Sequence, residues 1–256
     1  MIESWMQGLV PEDYEKTYFD YNDKASSEMG LTIGASTSQH SPGYDVMFEK
    51  VPGRDGDLAM DNGRFEPFVY PIRVYLESEG EDIHAAASRI SKWLKKDIRY
   101  KPLFLSWDPE YIYSAIYYEQ YDIEDMLQKF GKISLNFKCH PIKYALSGLT
   151  KRDVSIGSTL YNPEERTAKP LIEITGTGDI LLFKNGEPWL TLTGVDGSIT
   201  IDSQTQMVYK GDVKAFNKMN GNLRPMFPVL SPGENVISWG ANVGKVTITP
   251  RWEAVV

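Results

Sequence analysis

The chain has 256 residues, of which 41% are hydrophobic and 24% are charged, an ordinary balance for a globular protein that buries a core. Its formal net charge of -8 argues against the broad basic surface that nucleic-acid backbones require, and its single cysteine excludes a disulfide within the chain. The sequence has neither a signal-peptide pattern at its start nor an apolar run long enough to cross a bilayer, so we expect a soluble protein, made in a cytoplasm, with no membrane insertion.

The first 76 residues predict short strands and one long hairpin. After a polar leader, FDYNDKASSEMGLTIG (19–34) has the turn steps Asn-Asp and Met-Gly between short apolar stretches. Val46 and Phe48 then alternate with Met47 and Glu49, and residues 68–76 place an apolar side chain at every second position. Two such strands, joined by the Gly-rich stretch VPGRDGDL (51–58), predict a hairpin from residue 46 to residue 76. Pro71 predicts an edge or a bulge in its second strand.

Residues 81–99 predict the main helix. Apolar residues recur there at spacings of three and four, at Ile83, Ala87, Ile90, Leu94 and Ile98. Glu81 and Asp82 stand where the helix dipole favours negative charge, and the basic residues stand near the other end, where it favours positive charge. We interpret Lys92, Lys95 and Lys96 as a solvated face.

Three further strands follow the helix. LFLSW (103–107) precedes a turn, and residues 111–118 are apolar on both faces, which is typical of a strand buried on both sides. KISLNFKCHP (132–141) places Ile133, Leu135, Phe137 and Cys139 on one face. The first block is therefore a β-rich domain with one main helix.

The remainder of the chain predicts a second, all-β domain. From Leu171 onward, short apolar stretches alternate with turn-like pairs at Gly178-Asp179, Asn185-Gly186, Asp196-Gly197, Asn220-Gly221 and Pro232-Gly233. This spacing is typical of an antiparallel sandwich or jelly roll. We place the boundary between domains 1–144 and 145–256. The fold class is mainly β, a sandwich-like first domain with a helix and an extended hairpin followed by a β-sandwich.

No motif for catalysis, cofactors or metals has the required spacing. Asp55 begins a superficial calcium loop, but Ala59 and Met60 occupy its fifth and sixth positions, and the sixth needs glycine. ITGTGDI has Leu181 where a dinucleotide loop needs its third glycine. We interpret Cys139, next to His140 on a strand, as a buried structural residue. His40 and His84 have no metal-site spacing, and we interpret the acidic cluster Asp122, Glu124 and Asp125 as a solvated turn.

The aromatic residues of the second domain permit an alternative function. Trp189, Tyr209, Trp239 and Trp252 are candidates for stacking on sugars. We favour the interpretation that they fill a core or a subunit interface. A carbohydrate-binding module that acts in surface attachment is therefore an alternative hypothesis, and a hydrolase is another.

Four stretches together give the chain a family resemblance. They are FDYNDKASSEMGL, VPGRDGDL, ISLNFKCHP and the C-terminal series AKPLIEITGTGDILLFKNG, SITIDSQTQMVYKG and FPVLSPGENVISW. In order and spacing they resemble the distal tail proteins, called Dit, of bacteriophages with long non-contractile tails. Tyr21 stands where phenylalanine is common in that family.

This resemblance implies a non-enzymatic virion protein of the tail tip, without cofactors, that is assembled in the cytoplasm of a bacterial host. The family forms a homohexameric ring, with a projecting hairpin called the belt and a galectin-like outer domain. Its rings join the tail-tube protein to the tail-tip hub or baseplate and in many phages carry receptor-binding proteins. On this basis we predict that seven residues belong to the belt and its subunit interface: Val46, Phe48, Arg54, Asp55, Asp57, Phe68 and Tyr70.

Overall fold

A computed structural model describes residues 17–34, 41–76, 82–119, 132–221, 223 and 225–256. The described residues divide into two units. Unit 1 runs to Lys143 and includes Val255 and Val256, and unit 2 runs from Tyr144 to Ala254. We describe each unit by itself.

Unit 1 contains a curved sheet and a separate pair of strands. Its strands are β1 (Phe19–Tyr21), β2 (Lys24–Ala25), β3 (Leu31–Ile33), β4 (Tyr44–Lys50), β5 (Asp57–Phe65), β6 (Phe68–Leu76), β7 (Lys101–Leu105), β8 (Tyr111–Ile116) and β9 (Lys132–Ala145). The sheet has the order β2-β1-β7-β8-β9-β6-β3, whereas β4 and β5 pair only with each other among the described strands. β6 pairs with β9 from Phe68 opposite Cys139 to Tyr75 opposite Lys132.

The position of Pro71 follows from this pairing. β3 pairs only with residues 74–76 of β6, so Pro71 lies where the described strands leave the other side of β6 open. A proline has no backbone N–H to donate, and an open edge is where a strand tolerates that loss. The prediction of an edge at Pro71 is confirmed.

The helix α1 (Ile83–Leu94) packs against the sheet of unit 1 and contributes to its core. Asp82 caps it by accepting a hydrogen bond from the His84 N–H at 3.4 Å, while Glu81 lies outside the described residues. The buried helix residues are Ala86, Ala87, Ile90, Trp93 and Leu94. Ile98 was predicted on the apolar face, but the helix ends at Leu94 and Ile98 is 80% exposed. The prediction of the helix is otherwise confirmed.

The predicted hairpin has a different second strand. We expected residues 46–49 to pair with residues 68–76, but β4 pairs with β5 and β6 joins the main sheet. The expectation was wrong because β5 (DLAMDNGRF) is mostly polar and lacks a clear two-residue apolar period, so its sequence is typical of a connection rather than a strand.

Unit 2 is a β structure around a second core. Its elements are α2 (Leu146–Leu149), β10 (Arg152–Val154), β11 (Ser158–Asn162), β12 (Leu171–Lys184), β13 (Glu187–Asp202), β14 (Met207–Lys210), β15 (Val213–Lys214), β16 (Gly233–Trp239) and β17 (Val243–Thr249), with β18 (Glu253–Val255) at the end of the chain. The strand order is β10-β17-β12-β13-β14-β15, and β16 pairs with both β11 and β12.

The two long strands of unit 2 correct part of the sequence prediction. Gly178-Asp179 and Asp196-Gly197 were expected to be turns, but both lie inside strands. On one side, β12 pairs with β17 over residues 171–176 and with β16 over residues 182–184. Its pairing with β13 has a register shift between Gly178 and Ile180. A Cβ at Gly176 would lie 2.2 Å from the Asn242 carbonyl oxygen, so only glycine fits there. Asn185-Gly186 is a true hairpin turn, since both residues have positive φ.

The predicted fold class is therefore confirmed: the chain is β-rich, and the described residues contain one main helix. The core of unit 2 consists of apolar side chains from several strands, among them Ile172, Ile174, Leu182, Leu190, Leu192, Ile201, Ile237, Val246 and Ile248. No helix within the described residues combines the length and apolar character needed to cross a membrane.

Candidate interaction surface

We define the hairpin as β4, β5 and the tip between them, residues 51–56. Its side chains do not belong to the buried core of unit 1. Met47 pairs with Met60, Phe48 with Ala59, and Lys50 with Asp57. A seven-residue strand is about 20 Å long. A two-stranded ribbon of this kind is at best marginally stable by itself in water, so this one needs a further surface to contact.

Large apolar side chains of the hairpin face solvent on both sides of the ribbon. Phe48 is 67% exposed on one face, and Met47 is 53% exposed on the other. Tyr44, Val51 and Leu58 are exposed as well. Isolated exposed apolar residues are common on proteins, but a cluster on one projecting element is typical of an interaction site.

Polar contacts stabilise the base of the hairpin. Asp45 accepts hydrogen bonds from Asn62 at 2.8 Å and from Arg64, and these two bonds hold the pKa of the Asp45 carboxyl below its usual value. Gly63 has a φ of 71°, and its N–H donates to Asp61 at 2.7 Å. Together they form a bulge, since two extra residues of β5 lie between the pairs Tyr44–Phe65 and Val46–Asp61.

The tip carries three of the residues predicted for the belt and its interface. Arg54 and Asp55 lie between Gly53 and Gly56, which both have a φ of 79°, and Asp57 begins β5. All three charged residues are exposed. A Cβ built at either glycine would meet no atom within 4 Å, so there is open space beside both glycines.

The structure brings together five of the seven predicted interface residues and separates two. Val46, Phe48, Arg54, Asp55 and Asp57 belong to the hairpin. Phe68 and Tyr70 were placed on its second strand, which is wrong, because they lie in β6 of the main sheet. Tyr70 is only 2% exposed, and its hydroxyl oxygen accepts a hydrogen bond from Trp107 Nε1 at 3.0 Å. The role of all seven residues in subunit contacts stays a prediction.

Several hairpin residues were not predicted from the sequence. Tyr44, Met47, Leu58 and Met60 lie on the hairpin together with the predicted residues. The sequence signal for these residues is the pair of adjacent apolar residues Met47 and Phe48. Adjacent residues of a strand point to opposite faces, so this pair places an apolar side chain on each face. That signal is recognisable only when the pairing partner of the strand is known.

The described residues do not offer a cluster of side chains suited to a metal ion. Groups of three or more His, Cys, Asp or Glu side chains suited to a metal are absent from the described ranges. The former calcium-loop residues run along β5 instead of circling a cavity. Cys139 is fully buried, and burial raises the pKa of its thiol to about 12, so the thiolate is scarce at neutral pH. His40 and the acidic cluster of Asp122, Glu124 and Asp125 lie outside the described residues.

The aromatic residues considered for sugar stacking are mainly structural. Trp252 is 1% exposed, and Trp189 is buried with its Nε1 donating to the Val229 carbonyl oxygen at 3.0 Å. Trp239 and Tyr209 are half-buried. A sugar platform needs an exposed ring face, which the two buried tryptophans do not offer.

Comparisons with known proteins found similarity to proteins of phage and prophage origin. No protein-family model matches the chain. The chain is 27% identical over 200 residues to the SPbeta prophage-derived uncharacterized protein YomH of Bacillus subtilis (strain 168), which covers 75% of this chain and 71% of YomH. The crystal structure of SPP1 Dit (gp19.1), described as a paradigm of the hub adsorption apparatus in phages that infect Gram-positive bacteria, superposes with a TM-score of 0.69. That match covers 91% of this chain and 97% of SPP1 Dit, at 12% identity.

The structural match extends over nearly the full length of both proteins. Since sequence identity is low, it establishes a shared fold. The predicted resemblance to the Dit proteins is confirmed at this level: the chain has a Dit-like, β-rich fold.

Proposed function

We propose that the chain is a structural protein of a phage tail, which assembles into a hexameric ring at the tail tip. The observation that carries the proposal is the structural match to SPP1 Dit, which covers residues of both units of the chain. A match to a single domain would be weaker support, because many proteins of different function share one domain fold. The prophage origin of YomH supports the same setting.

The hairpin supports self-association as the means of assembly. Its strands pair only with each other among the described strands, and it exposes apolar side chains on both faces. Unpaired strand edges with such side chains are a liability unless another surface covers them. A head-to-tail contact that places the hairpin of one copy on the next copy covers them and generates a ring when the rotation closes.

The proposed ring joins other tail components. Following the resemblance, we assign it the tail-tube protein on one side and the tail-tip hub on the other, with receptor-binding proteins as additional partners in the virion. The role is that of a scaffold, without catalysis. Each contact in a closed ring is repeated, so individually weak contacts reinforce one another through their high effective concentration.

The proposal is tested by reconstitution with tail-tube and hub proteins from the genome that encodes the chain. We expect the purified protein to form a complex with each of them, whose mass, measured by light scattering, contains six copies of the chain. A single copy that binds neither protein at micromolar concentration contradicts the proposal. Screening of the same sample on a glycan array tests the carbohydrate-binding alternative, for which we expect no signal.

A further inference from the structure

Two depressions of opposite charge lie next to each other on unit 1. The first, the acidic pocket, has a volume of about 370 Å³ and is lined by Asp20, Asn22, Asp23 and Glu28, together with Lys24 and Lys101. The second, the basic groove, has a volume of about 630 Å³ and runs along α1, where Lys24, Arg89, Lys92 and Lys96 line it. Asn22 and Lys24 belong to both.

The acidic pocket has three carboxylates, Asp20, Asp23 and Glu28, against two lysines, Lys24 and Lys101. Lys101 is engaged by Asp97, with Nζ and Oδ2 2.7 Å apart. Among the described residues, the half-buried Asp20 carboxylate has no cationic partner, and Glu28 accepts only the Ala25 N–H at 3.2 Å. Burial, and then the nearby Glu28 charge, raise the pKa of Asp20 to about 6. A cation placed between these two carboxylates would relieve the repulsion.

The basic groove is lined by four cationic side chains and by no Asp or Glu. Lys96 lies 3.9 Å from Asp23, but both side chains are exposed, so this ion pair is weak. Lys92 is exposed and has no carboxylate partner among the described residues. Met29 and Trp93 give the groove an apolar floor between its cations. Such a surface fits a segment that carries carboxylates and some apolar area.

The hairpin tip carries the matching charges in adjacent positions. Arg54 is followed by Asp55 and Asp57, all exposed, with the exposed apolar side chains of Val51 and Leu58 beside them. Arginine is the side chain best suited to contact two carboxylates, since its guanidinium donates several hydrogen bonds in a planar fork. The tip is therefore complementary to the two depressions taken together.

From this complementarity we infer that the acidic pocket and the basic groove are the receiving site for the hairpin tip of a second copy of the chain. Arg54 of one copy enters the acidic pocket, and Asp55 and Asp57 contact the basic groove along α1. The inference rests on the proposed self-association and specifies which surface receives the hairpin. The hairpin strands pair only with each other among the described strands, and the charges of the tip match those of the two depressions, so we assign a second copy as the occupant.

Engineered cysteines test this contact directly. Cys139 is fully buried, so new surface thiols report without interference from it. Two single variants, Asp55→Cys and Ser88→Cys, are mixed and oxidised; Ser88 is exposed and lines the basic groove. We expect a disulfide-linked dimer that contains one copy of each variant. As a matched control, Val213→Cys, which is 70% exposed in unit 2, should give no such dimer with Asp55→Cys.

Charge reversal gives a second, independent readout. Asp55→Lys and Lys92→Glu should each weaken self-association by about tenfold, since each places like charges in contact, and the double variant should recover most of the loss. Thermal melting of each variant at low concentration checks that the fold is intact. Recovery in the double variant separates a direct contact from a general effect of net charge.

The outcomes separate this inference from the proposed function. If the unmodified protein forms hexamers but Asp55→Cys and Ser88→Cys give no mixed dimer, the receiving site is wrong and the ring stands. If the unmodified protein stays monomeric and the mixed dimer is absent, both fail. A mixed dimer with Val213→Cys as abundant as that with Ser88→Cys also overturns the inference, because it shows random collision.

Discussion

Tyr44 and Phe65 face each other across the base of the hairpin, with their ring centroids 4.5 Å apart. Just beyond this pair, the Glu66 N–H donates to the Gly43 carbonyl oxygen at 2.8 Å. These contacts fix the hairpin where it joins unit 1, and the bulge at Gly63 adds twist to the strand next to them. The direction in which the tip projects is therefore set by its base.

Removal of one ring should loosen the hairpin without unfolding unit 1. An aromatic pair contributes about 0.5–1.5 kcal/mol beyond its buried area, and Phe65 lies outside the buried core. We expect Phe65→Ala to increase the rate of trypsin cleavage after Lys50 and Arg54 several-fold, measured by mass spectrometry of early fragments. Val213→Ala, an exposed site in unit 2, serves as the control and should leave the rate unchanged. Equal rates in all three proteins would show that the ring pair does not hold the hairpin.

The exposed apolar residues of the hairpin should matter for assembly and not for folding. Met47→Ser and Phe48→Ser each remove a side chain that is more than half exposed, so we expect each to change the free energy of unfolding by less than about 0.5 kcal/mol. The same variants should weaken self-association at least tenfold, measured by analytical ultracentrifugation. A variant that assembles like the unmodified protein would remove the hairpin from the interface.

Asp20 gives the acidic pocket a pH dependence. Its pKa of about 6 lies above the ordinary value of 3.8, so the folded chain binds this proton more tightly than the unfolded chain, and stability is lost as pH rises through 4 to 6. Asp20→Asn should therefore stabilise the isolated chain at pH 7 by about 1 kcal/mol, a figure reduced for partial exposure, and by nothing near pH 3.5.

Urea unfolding of the monomer at both pH values measures this difference. A gain of equal size at both pH values would assign the effect to packing and not to charge. Docking of Arg54 from a second copy favours ionised Asp20. Self-association should therefore strengthen as pH rises from 5 to 7, in the presence of the other groups that line the pocket, Asp23, Lys24, Glu28 and Lys101.

The Asp202–Arg251 ion pair should be important for the stability of unit 2. Arg251 Nη1 lies 2.7 Å from Asp202 Oδ1, and the two side chains are 14% and 12% exposed. Burial disfavours the Asp202 carboxylate, but the hydrogen bond and charge of Arg251 outweigh it and keep its pKa below the usual value. Its contribution is thus present above about pH 4 and is lost as pH falls through the lowered pKa.

Asp202→Asn should reduce the free energy of unfolding by about 3 kcal/mol at pH 7, because it leaves the guanidinium nearly buried without its counter-charge. Fluorescence of the buried Trp252 during urea unfolding provides the measurement. Asp196→Asn is the matched control, since its pair with Lys210 is exposed and should contribute little. If both variants lose the same free energy of unfolding, the buried ion pair contributes no more than the exposed one.

The sequence predicts some elements well because their local signals agree with their packing. The spacing of Ile83, Ala87, Ile90 and Leu94 predicts α1, and the structure buries three of these four residues against the sheet. The strand of residues 132–141 was predicted from its alternation, and Leu135 and Phe137 are fully buried. Where one face of an element is buried, the period of the apolar residues identifies it.

Other elements depend on partners that the sequence does not reveal. β5 contains Asn62 and Gly63, a pair typical of a turn, yet it forms a strand because β4 lies opposite to it. Gly178 and Gly197 are typical of turns in the sequence, but they lie inside β12 and β13, where both have positive φ. The acidic pocket combines side chains from β1 and β2 with those of β7, which is distant in the sequence. No local sequence motif therefore predicts it.

The central claim, a hexameric ring, is tested most directly by electron micrographs of the purified protein in negative stain. The account predicts ring-shaped particles with sixfold symmetry and a central channel, and their absence in the double variant Met47→Ser, Phe48→Ser at the same concentration. Particles no larger than a single chain, alone and in the presence of the tail-tube and hub proteins, would contradict it.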